Sequence, residues 1–193
     1  DLETDAGLHF IIGDVSGHST SSALIMAVSK GIFHSLGHTM RNPIDILQTA
    51  NRMLCDILGD SGMFLSLVYT VFDRRADELS LVSAGHNPVF LVSKGDLLTK
   101  ESTGPVLGWD ADDTWTAATH KFHSGATFFL YTDGLTEAMN GSGEEFGEER
   151  LRALLAEDMA GPDRMVEKIF GQVAHFTNGN FSDDLTMFVM KRK

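Results

Sequence analysis

The sequence is poor in cysteine and lacks a long apolar run, and each shortage excludes a class of protein. Its single cysteine, Cys55, cannot form an intramolecular disulfide or a cysteine-based metal cluster. A lone cysteine fits a reducing compartment, so we expect a cytoplasmic location. No apolar run reaches the roughly 20 residues that a membrane-spanning helix needs, so we expect no membrane partner for this segment.

Basic residues are also scarce. The chain has 15 Lys and Arg residues against 27 Asp and Glu residues, which gives a net charge of −12 at neutral pH. A nucleic-acid partner is not expected, because binding to the phosphate backbone requires basic patches. Most of this acidity is typical of a solvated surface, although divalent cations could neutralise part of it.

The predicted helices and strands come in blocks rather than in regular alternation. Two helices follow the first strand, a run of antiparallel strands comes next, and two helices precede the last strand. This order predicts an α+β fold with two stacked sheets and helices on the outside, in one domain covering residues 1–193. The helix that begins near Ser21 is apolar nearly all round, so we expect it to be buried on much of its surface. Strands are predicted at 8–14, 64–73, 78–84, 89–92, 97–99, 126–132 and 185–191, with a weaker one in 114–122, and helices at 21–37, 43–58, 148–158 and 163–176.

Acidic residues lie at the ends of three of these strands. Asp14 and Asp133 follow apolar strands and stand beside glycine, and the pair Asp183-Asp184 precedes the last strand. Carboxylates are the natural ligands of Mg²⁺ and Mn²⁺, and strand ends hold them more rigidly than free loops would. A pair of such metals is a known solution for phosphoester hydrolysis. Each aspartate could equally be a turn former or a cap, and spacing alone does not decide between these readings.

Five motifs in order give the chain a specific resemblance. They are Gly13-Asp14-Val15-Ser16-Gly17-His18, Ser83-Ala84-Gly85-His86-Asn87-Pro88, Tyr131-Thr132-Asp133-Gly134-Leu135-Thr136-Glu137-Ala138, Phe146-Gly147 and Asp183-Asp184-Leu185-Thr186. Together they cover nearly the whole chain. The sequence resembles the bacterial SpoIIE/RsbU-like branch of the PPM (protein phosphatase 2C-like) metal-dependent serine/threonine phosphatases.

This resemblance implies a four-layer α-β-β-α sandwich that holds two ions of Mn²⁺ or Mg²⁺. Asp14 would bridge the two metals, and Val15 would offer its backbone carbonyl. Asp133 and Asp183 would complete the first metal site. Asp184 takes the next position, where the wider family often has Asn, so it ranks below Asp183, and its alternative role is to hydrogen-bond the turn. The three principal aspartates would act in catalysis through metal-activated water.

Two positions depart from the family pattern. The family normally carries a Gly-Gly-Asp motif upstream, and its Asp serves the second metal. The chain begins after that point, so we expect an incomplete second metal site and a domain that is N-terminally truncated from a longer regulatory protein. Ser19 replaces the usual glycine and is expected to crowd the turn beside the metals.

Two histidines lie within these motifs. His18 is a candidate general acid for the leaving oxygen, against the alternative of a role in the turn or at the helix start. For His86 the prediction is a structural hydrogen bond that holds its loop.

The function implied by the resemblance is hydrolysis of phosphoserine or phosphothreonine on a regulatory protein, such as an anti-sigma-factor antagonist. An upstream sensor or receiver domain would regulate the activity, and the chain could assemble as a homodimer. One alternative is a catalytically weak or inactive phosphatase-like module that binds a partner. Another is a phosphoryl-transfer enzyme with an aspartyl nucleophile in Asp133-Gly134-Leu135-Thr136, but the chain lacks the alternating parallel-sheet order of those folds.

Overall fold

The computed structural model describes residues 2–4, 7–17, 19–93, 95–157 and 161–193. The chain divides into two compact units. Unit 1 contains Asp1–His86 and Ser102–Phe122, and unit 2 contains Asn87–Glu101 and His123–Lys193. Among the described residues, none of the helices is both long enough and apolar enough to cross a membrane.

Nine strands and four α-helices make up the described secondary structure, together with two short 3-10 helices at Gly59–Ser61 and Asp133–Leu135. In chain order they are β1 (Leu2–Thr4), β2 (Gly7–Val15), α1 (Thr20–Thr39), α2 (Pro43–Leu58), β3 (Leu65–Asp73), β4 (Glu78–Ala84), β5 (Val89–Ser93), β6 (Asp96–Lys100), β7 (Ala118–Lys121), β8 (Thr127–Tyr131), α3 (Gly147–Leu155), α4 (Pro162–Phe176) and β9 (Met187–Lys191).

Unit 1 is built on a five-stranded antiparallel sheet in the order β1-β2-β3-β4-β7. The strands predicted at 64–73 and 78–84 pair as the hairpin of β3 and β4. Asp73 stabilises its turn by accepting hydrogen bonds from the backbone N–H groups of Arg75 and Ala76, at 2.7 and 3.0 Å. Helix α2 begins at Pro43 after the N-cap Asn42, and its apolar face supplies Leu47 and Leu54 to the core of this unit.

Helix α1 is more exposed than its sequence predicts. Ser29, Ile32 and Phe33 are buried, but Leu24 is 63% exposed, and Met26 and Val28 are exposed as well. The expectation that this helix is buried on much of its surface is therefore wrong. It contacts β1, β2 and α2 along one stripe, and the opposite side of the helix remains at the surface of the chain.

Unit 2 is built on a four-stranded antiparallel sheet in the order β6-β5-β8-β9. Helices α3 and α4 accompany it, and both bury one apolar stripe. The core of the unit contains Phe90, Phe129 and Tyr131 from the sheet with Leu151 and Ile169 from the helices. The α+β class with two antiparallel sheets and helices is thus confirmed, whereas β1 lies in a stretch for which no strand was predicted.

Candidate functional site

Asp14 lies near the end of β2, where the pairing with β3 places it opposite Ser66. Residues directly opposite each other in an antiparallel pair project their side chains to the same face, so Asp14 and Ser66 stand side by side. The hydroxyl of Ser66 is 2.9 Å from Nδ1 of the buried His86. The hydrogen bond predicted for His86 is therefore present, and it joins the 83–88 motif to the strand beside Asp14.

The backbone carbonyl of Val15 faces away from β3. Leu65, the residue opposite Val15, exchanges both of its backbone hydrogen bonds with Leu107, at 3.0 and 2.8 Å. Opposite residues in an antiparallel ladder alternate between hydrogen-bonded and non-bonded pairs, so Val15 and Leu65 form a non-bonded pair. The Val15 carbonyl is thereby directed to the other side of β2.

Hydrogen bonds of Ser16 stabilise the turn after β2. The N–H of Ser16 donates to the carbonyl of Phe64 at 3.0 Å, and its hydroxyl accepts from the N–H of Phe64, also at 3.0 Å. The hydroxyl of Ser22, in the first turn of α1, donates to the Ser16 carbonyl at 3.1 Å. Gly17 follows with φ of 88°, a left-handed conformation that favours glycine. These contacts fix the direction of the chain immediately after Asp14.

Ser19, the predicted point of crowding, is the N-cap of α1. Its hydroxyl accepts from the N–H of Ser22 at 3.4 Å, and the residue is exposed. Serine is among the preferred N-cap residues because its side chain satisfies a backbone donor of the first helical turn. His18, the candidate general acid, lies outside the described residues.

Unit 2 contains the other predicted ligands on two turns. The Asp133 carboxylate accepts from the N–H of Gly134 at 2.9 Å, and the Asp183 carboxylate accepts from the N–H of Asp184 at 2.8 Å. Asp133 is half-buried, whereas Asp183 and Asp184 are exposed. The carboxylates of Asp133 and Asp183 are thus each oriented by the backbone N–H of the next residue.

Hydrogen bonds of Thr132, from its backbone and its side chain, hold these two turns against each other. The N–H of Thr132 donates to the Thr186 carbonyl at 3.1 Å, and the N–H of Thr186 donates to the Thr132 hydroxyl at 3.0 Å. That hydroxyl in turn donates to the Asp184 carbonyl at 3.3 Å. Gly134 lies so close to the backbone of Asp184 that a side chain would collide with it. Thr132 was not singled out in the sequence, because its role depends on a partner more than 50 residues away.

Negative charge is concentrated around these turns. The pKa of Glu137 is raised, first by burial and then by the charges of Asp133, Glu145 and Asp183. Glu137 was also not singled out as a site residue in the sequence. A divalent cation near Asp133 and Asp183 would offset this repulsion, because opposite charge favours the ionised form of a carboxylate.

Each unit carries oxygen donors of the kind that a hard divalent cation prefers, namely carboxylates and carbonyls. Unit 1 offers Asp14 and the Val15 carbonyl, and unit 2 offers Asp133 and Asp183 with Asp184 beside it. Across the ranges that the structure describes, no group of three or more His, Cys, Asp or Glu side chains is close enough to hold a metal ion.

Comparisons with known proteins give a consistent picture. The family model described as Stage II sporulation protein E (SpoIIE) matches residues 4–193. Phosphoserine phosphatase RsbU from Bacillus subtilis (strain 168) is 29% identical over 190 residues, which cover 96% of this chain and 56% of RsbU. The chain spans about a third to just over half of the length of the curated relatives that it matches.

Solved structures of other proteins share the fold. The SiaA-PP2C domain of Pseudomonas aeruginosa has a TM-score of 0.87 and 21% identity, and the match covers 100% of this chain and 78% of that one. RsbX in complex with magnesium has a TM-score of 0.68 and 18% identity, with 96% of this chain and 81% of that one covered. The architecture described above is therefore that of PP2C-type phosphatase domains.

Proposed function

The chain belongs to the SpoIIE family, and from that premise we propose that it is a metal-dependent phosphatase that hydrolyses phosphoserine or phosphothreonine on a regulatory protein. The observation that carries the proposal is the pair of carboxylate turns at Asp133 and Asp183, which hydrogen bonds of the Thr132 hydroxyl hold together in unit 2. The phosphoserine phosphatase RsbU, a relative across nearly the whole chain, supports the reaction type.

We assign Asp14, Asp133 and Asp183 as carboxylate ligands, the Val15 carbonyl as a further ligand, and Asp184 as a secondary one. Mn²⁺ or Mg²⁺, when bound, would neutralise phosphate charge and lower the pKa of the attacking water. Two ions are proposed. The magnesium in RsbX, a protein of the same fold, supports this choice of metal.

The chain's own residues would orient the reacting groups. The N–H of Gly134 fixes the rotamer of the Asp133 carboxylate, and the N–H of Asp184 does the same for Asp183. On the strand beside Asp14, the Ser66–His86 hydrogen bond keeps a polar side chain at a defined position. His18 remains a candidate donor of a proton to the leaving oxygen of serine or threonine.

The partners follow from the same premise. We propose as substrate a phosphorylated regulatory protein of the anti-sigma-factor-antagonist type, with control by an upstream sensor or receiver domain and with a homodimer as the candidate assembly. A role in signal transduction and stress response in the cytoplasm is part of this proposal.

Hydrolysis of p-nitrophenyl phosphate in the presence of Mn²⁺ tests the assignment. The variants Asp14→Asn, Asp133→Asn and Asp183→Asn should each lose at least about 100-fold in kcat/KM, on the scale of removing one strong electrostatic group from an active site. Asp96→Asn, which removes an exposed carboxylate from β6, is the matched control and should retain the rate of the wild type. Equal rates in all four variants would overturn the ligand assignment. A wild-type chain that hydrolyses nothing would favour a phosphatase-like binding module.

A further inference from the structure

Two aromatic rings stand at the surface of unit 1 beside the turn that carries Asp14. Trp109 is 67% exposed, the largest exposed fraction among the big apolar side chains described. Its ring lies 6.2 Å from the half-buried ring of Phe64 in an edge-to-face arrangement at 69°. The backbone of Phe64 is hydrogen-bonded in both directions to Ser16, two residues after Asp14.

The exposure of Trp109 does not come from a loose loop. The side-chain amide of the fully buried Asn51 donates to the carbonyl of Asp110 at 2.7 Å and accepts from the N–H of Gly108 at 2.8 Å. One buried amide therefore clamps the backbone on both sides of Trp109. Leu107, two residues earlier, is bonded in both directions to Leu65. The scaffold is rigid, and it presents a large apolar ring to solvent.

Such a ring is a common anchor of protein interfaces. Tryptophan is enriched among the residues that contribute most to binding, because it buries a large area at a small cost in side-chain entropy. Trp109 and Phe64 stand together as an aromatic pair, and contiguous exposed apolar surface of this kind marks interaction sites more often than single side chains do.

The surroundings of Trp109 are strongly acidic. Asp110 and Asp112 follow it at the surface and Asp113 is half-buried; we call these three residues the acidic rim. The hydrogen bond from Asn51 to the Asp110 carbonyl places this segment beside α2. The pKa of the Cys55 thiol on that helix is raised, first by burial and then by the charges of Asp110, Asp113 and Asp56. The sequence has no Lys or Arg from 101 to 120.

The distance from Asp14 to Trp109 suits a short peptide. Two residues of strand, one strand spacing and the contact between the rings place Trp109 within about 20 Å of Asp14. An extended peptide covers that distance in about five or six residues. A phosphoserine bound to a metal that Asp14 holds would thus have its flanking residues within reach of the aromatic pair.

We propose that Phe64, Trp109 and the acidic rim form a docking surface for a segment of the phosphoprotein substrate. An apolar side chain of that segment would pack on Trp109, and Lys or Arg residues beside it would lie against the acidic rim. The inference rests on the proposed function. Its physical reason is charge complementarity, since a chain with net charge −12 repels an acidic phosphoprotein unless basic residues accompany the phosphate.

Two synthetic phosphoserine peptides of equal length test this surface. One contains a leucine between two lysines, five residues from the phosphoserine, and the other has serine and glutamate at those positions. The wild type should prefer the first peptide by about tenfold in kcat/KM, the scale of one hot-spot contact. Trp109→Ala should reduce that preference to less than about twofold and leave hydrolysis of p-nitrophenyl phosphate unchanged. Leu98→Ala, which removes another exposed apolar side chain, in β6 of unit 2, is the matched control and should keep the preference.

The double variant Asp110→Asn, Asp112→Asn separates the two contributions. It should weaken the preference for the lysine peptide and remove its dependence on salt, because exposed charges are screened by added ions. A preference that survives in Trp109→Ala, or no preference in the wild type, would overturn the docking surface.

Binding of the unphosphorylated lysine–leucine peptide keeps this result separate from the proposed function. The peptide should protect Trp109 from quenching by iodide, whereas the buried Trp115 is already shielded. Protection without any hydrolysis would support the docking surface and contradict the phosphatase. Hydrolysis without peptide preference and without protection of Trp109 would support the phosphatase and contradict the docking surface.

Discussion

Replacing Gly134 with alanine should separate the two carboxylate turns of unit 2. A methyl group at this position would lie 3.0 Å from the carbonyl carbon of Asp184 and closer still to its oxygen. The atoms in the way belong to the backbone, so no side chain can rotate to make room. The turn of Asp133, the turn of Asp183, or both must move.

The size of the effect follows from the contact. Carbon and oxygen atoms of this kind pack at about 3.5 Å, so the segments must separate by roughly 0.5–1 Å. Overpacking of this kind costs about 1–3 kcal/mol, and a chain of this length loses about 2–4 °C in thermal midpoint per kcal/mol. A displacement near 1 Å in a catalytic constellation can cost about 100-fold in rate.

Thermal unfolding and hydrolysis of p-nitrophenyl phosphate with Mn²⁺ measure both consequences. Gly134→Ala should unfold at lower temperature and lose most of the activity. Gly171→Ala is the control, because within the described part of the chain a methyl group at this exposed helical position meets no atom within 4 Å. It should be stabilising by up to about 1 kcal/mol. A Gly134→Ala protein with wild-type stability and activity would refute the reasoning.

Three further predictions concern other parts of the chain. Burial first, and then the charge of His38, lowers the pKa of His9, which is hydrogen-bonded to Tyr69 at 2.7 Å. The unfolded chain therefore binds the proton of His9 more tightly than the folded chain does. The free energy of unfolding in urea should decrease as the pH falls below about 6.5, and this pH dependence should be lost in His9→Gln. Asn51→Ala leaves the N–H of Gly108 and the carbonyl of Asp110 without their partner, so it should cost about 1–3 kcal/mol in urea unfolding, and an unchanged midpoint would contradict the clamp. Phe181→Ala removes the ring that stacks on Phe170 at 5.7 Å, just before Asp183. The substitution should lower the free energy of unfolding by about 0.5–1.5 kcal/mol and raise the Mn²⁺ concentration needed for activity. Unchanged metal dependence would show that the stack does not position Asp183.

The elements of the fold could be predicted largely from local patterns. The strands predicted at 64–73 and 78–84 are present as β3 and β4, and the helix predicted to begin at residue 43 is present as α2. The last strand begins at Met187, two residues later than predicted, because Leu185 and Thr186 belong to the turn that packs on Thr132. The burial of α1 could not be predicted, since an apolar helix sequence does not show which of its faces a sheet will cover.

The acidic turns were visible in the sequence, but the residues that hold them were not. Ser66 became notable only when strand pairing placed it opposite Asp14 and within hydrogen-bonding distance of His86. Thr132 and Glu137 likewise owe their significance to neighbours brought close by folding. Motifs show which residues could do chemistry, whereas long-range pairing determines which side chains support them.

The central claim is that this chain removes phosphate from phosphoserine with the help of divalent metal held by its strand-end aspartates. Release of inorganic phosphate from a phosphoserine peptide, followed across a Mn²⁺ titration in the wild type and in Asp133→Asn, tests it most directly. We expect saturable, Mn²⁺-dependent release in the wild type that EDTA abolishes, and at least about a 100-fold lower rate in the variant. Phosphate release that neither EDTA nor the substitution reduces would contradict the account. So would the absence of phosphate release at every Mn²⁺ concentration.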